Sequence, residues 1–199
     1  LSQNRISTIY AKAFANITQL KKLDLQLNEL REFSLNLFHN TVFQYPMALN
    51  ISRNEISSLT YNENSVPINI KVLDASRNKL SEVPSDFLSF TANSLSRLNL
   101  GYNSINQIHS SSFANLSSLE VLNLQHNGIV SVKRKAFYGL DSLQILDLSH
   151  NHIKSLQLSQ FSGCPNLRVV DLSSNHIRTL SRDVFHNTRV EGLDLSNNE

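Results

Sequence analysis

The 199-residue chain has one cysteine, Cys164. A single thiol cannot close an intrachain disulfide or build a multi-cysteine metal site. It lies in Phe161-Ser-Gly-Cys-Pro-Asn-Leu167, on an apolar position, and reads as a small core residue rather than a reactive thiol. No stretch resembles a transmembrane span or a signal peptide, so any membrane association must come from regions outside this sequence. An excess of charge of one sign is also missing. Eighteen Lys and Arg stand against 16 Asp and Glu, with no basic stripe, which argues against a nucleic-acid partner. No glycine-rich phosphate loop or helix-borne metal motif occurs, so no cofactor is indicated.

What the chain has instead is an asparagine that returns about every 24 residues. Leu23-x-Leu25-x-x-Asn28 is followed by Leu49-x-Ile51-x-x-Asn54, Leu73-x-Ala75-x-x-Asn78 and Leu98-x-Leu100-x-x-Asn103. Then come Leu122-x-Leu124-x-x-Asn127, Leu146-x-Leu148-x-x-Asn151, Val170-x-Leu172-x-x-Asn175 and Leu193-x-Leu195-x-x-Asn198, and a partial copy opens the chain at Leu1 and Asn4. Two residues after each asparagine stands Ile or Leu, and five after it Ile, Leu, Val or Phe. Ten after it stands Phe14, Phe38, Phe113, Phe137, Phe161 or Phe185. Period-two alternation makes each Leu-x-Leu a short strand with one buried face, and successive strands should lie parallel, roughly 4.8 Å apart. One repeat buries too little apolar surface to offset the entropy of ordering its residues, so stability must come from stacking on neighbours. An inward asparagine carries a donor and an acceptor where the chain leaves the strand. It can satisfy backbone groups that have lost their ladder partners. Asn28, Asn54, Asn78, Asn103, Asn127, Asn151 and Asn175 are therefore expected to form a structural ladder.

These motifs identify the chain as resembling the leucine-rich repeat family, in its extracellular 24-residue type with a phenylalanine on the outer side. The resemblance covers essentially residues 1–199. It implies an α/β-type repeat solenoid of about eight repeats, a horseshoe with a parallel concave sheet and an irregular or short-helical convex side. Extracellular members usually close their ends with cysteine-bearing caps. Here ordinary repeats stand at both ends, so an internal fragment of a longer array, without N- or C-terminal caps, is expected. Two repeats depart from the pattern. Between Asn28 and Asn54 there are two extra residues, with Pro46 at a leucine position; between Asn54 and Asn78, Asn64 replaces the phenylalanine and Val66-Pro67-Ile68 is expected to fill part of the gap. Irregularity is expected there on the outer side.

Exposed positions must carry any function. Between the two leucines runs a polar column, Asp24, Asn50, Asp74, Asn99, Asn123, Asp147, Asp171 and Asp194. Its carboxylates could take a divalent cation or raise one another's pKa, though a solvated polar face explains them as well. Immediately before the asparagines stand Arg53, Arg77, Tyr102, His126 and His150, residue types that anchor protein interfaces. These five are the candidate protein-binding residues. His126 and His150 share one column, and His152 and His176 share another, which would suit metal chelation or pH sensing. Nothing nearby completes a specific metal site. Asp147, Ser149 and His150 resemble triad members, but neighbours along a strand point to different sides. An enzyme is not expected. Asn16-Ile-Thr18, Asn50-Ile-Ser52 and Asn115-Leu-Ser117 are glycosylation candidates at Asn16, Asn50 and Asn115.

Stretches such as Phe113-Ala-Asn-Leu-Ser-Ser-Leu-Glu-Val-Leu-Asn-Leu resemble the long lipid-anchored adhesion arrays of insect photoreceptor surfaces. That resemblance implies a non-catalytic, cell-surface glycoprotein whose partner is a protein, another copy of itself on an apposed membrane. Two alternatives stay open: the ligand-recognition ectodomain of a Toll-type innate immune receptor, and a matrix-binding leucine-rich protein.

Overall fold

The computed structural model describes residues 1–39, 41–61, 67–91 and 94–199. Eight short parallel strands form one sheet in sequence order: Lys22–Asp24, Met47–Asn50, Ile70–Asp74, Arg97–Asn99, Val121–Asn123, Ile145–Asp147, Val169–Asp171 and Gly192–Asp194. The register aligns the first leucine of each repeat, running Leu98, Leu122, Leu146, Val170 and Leu193 across neighbouring strands. Parallel order follows from connectivity, because each strand is reached by a full crossover around the core.

The convex side carries little helix. One five-residue α-helix, Ser85–Ser89, starts after Pro84, whose φ of −79° is already helical, and has Asp86 in its first turn. A 3-10 turn, Leu35–Phe38, begins where the Ser34 side chain accepts a hydrogen bond from the Asn36 N–H. Elsewhere the return path is turns and three parallel strand pairs: Glu32–Ser34 with Ser58–Thr60, Gln107–Ile108 with Ser131–Val132, and Ser155–Leu156 with Thr179–Leu180. The "short-helical" part of the expectation is thus met in one repeat and by turns in most others, because a 24-residue repeat leaves little chain for a helix.

Repeat geometry dictates curvature. Strands in a sheet stand about 4.7–4.9 Å apart. On the outer side Phe113, Phe137, Phe161 and Phe185 stack with ring centroids 6.0, 5.6 and 5.3 Å apart. Each repeat is therefore wider outside than inside, and the solenoid bends toward its sheet. The spine breaks where the pattern departs. Leu88 takes the phenylalanine position, and Phe87 packs edge-on to Phe33 at 6.4 Å. Asn64 and Val66 lie outside the described residues; Ile68 is buried. Around Pro46, Met47 takes the core place, and the register slips between Met47 and Ala48, opposite Ile70 and Val72. The concave sheet also carries a bulge: Lys71 is the surplus residue, on the strand Ile70–Asp74, and faces no partner on the strand that follows Pro46.

The asparagine ladder joins each repeat to the one before. Asn151 is 3% exposed. Its Nδ2 donates to the carbonyls of Leu124, Leu148 and Ser149 at 3.0, 3.0 and 3.1 Å, and its Oδ1 accepts from the Ile129 N–H at 3.0 Å. The same set recurs from Asn28, bonded to Leu1, Leu25 and Ile6, through to Asn198, bonded to Leu172, Leu195 and Ile177. Replacing Asn151 by alanine strands these groups, and the expected loss is about 1–3 kcal/mol of unfolding free energy. Urea denaturation of the variant measures this; an unchanged midpoint would contradict the ladder's role.

Candidate functional site

The residue before each ladder asparagine sits in the left-handed region. φ is 57° at Gln3, 54° at Leu27 and Arg53, 55° at Arg77, 56° at Tyr102, 51° at His126, 53° at His150, 54° at Ser174 and 55° at Asn197. The turn is required to bring the asparagine inward, and the neighbouring repeat holds it. The N–H groups of Arg77, Tyr102, His126 and His150 donate to the carbonyls of Gly101, Gln125, Ser149 and Ser173 at 2.9, 2.9, 3.1 and 2.9 Å. Glycine would suit this conformation, and a side chain costs about 1–2 kcal/mol. No glycine stands at any of the nine positions. The convex turn at Asn16, Asn115, Gly139 and Asn187 is also left-handed, and there the residues are Asn or Gly, which tolerate it. Lys12, Ser111, Lys135, Ser159 and Asp183 form another such column, without an aromatic ring.

The large side chains at the edge of the sheet touch one another. The Arg77 guanidinium lies 3.8 Å from the Tyr102 ring centroid. Tyr102 stacks on His126 at 4.2 Å and 16°, and His126 on His150 at 4.0 Å and 8°. Four consecutive repeats thus present one continuous stack, with Arg77, Tyr102 and His150 exposed and His126 half-buried. Arg53 precedes it on the same column and is exposed. Just past the ladder, His152 stacks on His176 at 5.4 Å, and His176 Nδ1 lies 2.9 Å from the Glu199 carboxylate, which also receives the Arg178 Nε–H.

Stacked imidazoles do not chelate, because their nitrogen lone pairs lie in parallel planes instead of converging. Among the described residues no group of three or more His, Cys, Asp or Glu is arranged to hold a metal. The acidic column is committed to turn chemistry. Asp147 Oδ1 accepts from the Ser149 N–H at 2.9 Å and its hydroxyl at 2.7 Å; Asp74 does the same with Ser76, and Asp171 accepts from the Ser173 N–H at 2.9 Å. The backbone N–H of Ser196, and then its side chain, hold the Asp194 carboxyl below its ordinary pKa, the reverse of mutual elevation. The Ser149 hydroxyl therefore points at a carboxylate while His150 stacks on His126, so these three residues form no nucleophile–base pair. Cys164 is fully buried, its Sγ 3.3 Å from the Phe137 carbonyl oxygen, and burial, then Asp141, push its pKa up to about 12.

At the sequons, Asn16 and Asn115 are exposed, and their left-handed turn position alone accounts for the residue type. Asn50 faces the concave side, its Oδ1 taken by the N–H and hydroxyl of Ser52 at 3.1 and 2.7 Å. A convex cavity of about 1040 Å³ opens between Pro67, Phe90, Asn115 and Tyr138, with no histidine, lysine or cysteine among the described residues of its lining.

Sequence reasoning missed an apolar stripe. Val121, Ile145 and Val169 are paired neighbours in the sheet, one residue before the first leucine, and Ile145 and Val169 are 42% and 41% exposed. The signal was present: period-two alternation turns these positions outward, and apolar residues at outward positions are unusual.

Residues 68–129, 93–153 and 142–199 match the leucine rich repeat family, and residues 2–81 match the BspA type leucine rich repeat region. The chain belongs to the leucine-rich repeat family. Over 140 residues it is 33% identical to Tsukushi from Danio rerio, an alignment covering 59% of this chain and 39% of that protein. The chain spans about two fifths of that relative's length. Leucine-rich repeat proteins are in general protein-binding modules rather than catalysts. In this leucine-rich repeat chain no helix among the described residues is long and apolar enough to cross a membrane.

Desolvation by burial, then the neighbouring His150, lower the His126 pKa; Asp147 opposes this and Arg77 adds to it. The folded state binds this proton less readily than the unfolded chain, so the associated stability is present above about pH 6.5 and lost as pH falls below it. Thermal midpoints should fall from about pH 7 to about pH 5, and fall less in a His126→Gln variant. Equal slopes in the two proteins would contradict the assignment.

Proposed function

We propose that the chain is the partner-binding array of an extracellular, cell-surface protein, and that it adheres to a second copy of itself. The observation that carries this reading is the exposed stack Arg77–Tyr102–His126–His150, built on backbone positions where large side chains reduce stability. Aromatic and arginine side chains are the usual anchors of protein interfaces. The stripe Val121–Ile145–Val169 adds apolar area on the concave face. Self-pairing is supported by charge: one surface holds both the guanidinium groups of Arg53 and Arg77 and the carboxylates of Asp147, Asp171 and Asp194, so two copies can be mutually complementary. Exposed sequons at Asn16 and Asn115 on the outer path suit an extracellular location.

Beads coated with the protein should aggregate with one another, and beads carrying Tyr102→Gly should stay dispersed. Glycine relieves the left-handed strain while losing the cation–π contact, so this variant should remain within about 1 kcal/mol of wild-type stability. Dispersed wild-type beads would contradict adhesion and point to capture of a separate ligand, as in a receptor ectodomain or a matrix-binding array. Aggregation unchanged by Tyr102→Gly would remove the stack from the contact.

A further inference from the structure

We infer that the Arg77–Tyr102–His126–His150 stack is a docking edge for an acidic protein segment, and that its grip tightens as the two imidazoles take up protons. The inference rests on the protein-binding reading of these residues and adds the chemistry and regulation of the contact. The geometry carries it. His126 and His150 lie face to face at 4.0 Å, with Tyr102 covering the other face of His126 and the Arg77 guanidinium covering Tyr102. Both faces of His126 and one face of His150 are covered, and the N–H groups of the imidazoles project from the ring edges, in the ring planes. The stack thus offers a row of donors and no carboxylate of its own.

The charged groups acting on His126 are His150, Asp147 and Arg77. Asp147 is the one nearby anion among them, and its Oδ1 already accepts two hydrogen bonds from Ser149. The uncharged Ser174 occupies the position after His150. Without a ligand, burial and then the neighbouring His150 disfavour a proton on His126, and Arg77 adds to this. A carboxylate seated on the edge reverses that balance: it favours the charged rings, and charge-assisted bonds from them are the stronger kind. Binding and proton uptake are therefore linked, with each proton taken up contributing up to about tenfold in affinity per pH unit. The His152–His176 pair is not part of this edge, since Glu199 already engages His176.

The test uses the complete chain and an end-blocked oligoaspartate peptide as probe, titrated at low salt at about pH 7.5 and about pH 5.5, either side of the imidazole range. Affinity should rise about tenfold or more on acidification. His126→Gln/His150→Gln should abolish the rise, while His109→Gln/His186→Gln, on exposed histidines elsewhere, should keep it; circular dichroism confirms that both variants are folded. Equal affinity at the two pH values, no binding at either, or a rise that survives His126→Gln/His150→Gln would overturn the inference. Beads that aggregate while the protein shows no pH response to the peptide would sink this inference alone; dispersed beads with an intact response would sink only the adhesion reading.

Discussion

The joining of repeat to repeat depends on one hydrogen-bonded unit, the inward asparagine that binds two repeats at once. Its side chain serves carbonyls of its own repeat and of the preceding one, and it receives an N–H from the preceding repeat. Those backbone groups lie past the end of the strand ladder, and the apolar side chains around them carry no donor or acceptor to satisfy them. Reaching them forces the chain through a left-handed residue immediately before the asparagine. Because each repeat repeats the turn, all such residues fall on one line along the edge of the sheet.

That line is where structure hands over to function. The core positions, the asparagines and the Asp–Ser turns are fixed by packing and hydrogen bonding, and leave little freedom for recognition. The left-handed column is constrained in backbone but free in side chain. Gln3, Leu27, Ser174 and Asn197 show that polar or aliphatic residues serve it too, so the run from Arg53 to His150 is not demanded by the fold. Side chains at neighbouring repeats meet because the strand spacing is close to the contact distance of stacked rings, as the 4.2 and 4.0 Å separations show. The same column that satisfies the turn thus becomes a continuous polar and aromatic surface, next to the apolar stripe of Val121, Ile145 and Val169.

Much of this was legible in the residues, for an identifiable reason. A repeat tests its own reading several times over, so the strands, the inward asparagines and the outer phenylalanines could be placed by periodicity alone. The edge column was legible as a list, Arg53 to His150, but not as a stack. Contact between side chains a repeat apart depends on rotamers and on a left-handed φ that sequence does not announce at Arg, Tyr or His. The aspartates were harder still. A column of carboxylates looks like a charge cluster until Ser149 and Ser76 are seen to engage one oxygen of Asp147 and of Asp74 in the local turn. The bulge at Lys71 was not legible, because the repeat from Asn54 to Asn78 has the ordinary spacing of 24 residues and nothing in its length marks a surplus in the strand. The outward apolar stripe could have been read from parity and was passed over because the leucines beside it dominate the pattern.

The central claim is that side-chain amides hold the turns as firmly as main-chain ladders hold the sheet. Native-state hydrogen exchange measures this directly. The amides of Ile105, Ile129 and Ile153 each donate to a ladder asparagine of the next repeat, whereas those of Leu124 and Leu148 donate to the carbonyls of Asp147 and Asp171. If the ladder is what locks one repeat to the next, the three isoleucine amides exchange as slowly as the two leucine amides, through the same cooperative opening. Isoleucine amides that exchange at the rate of surface loops while the leucine amides stay protected would contradict it.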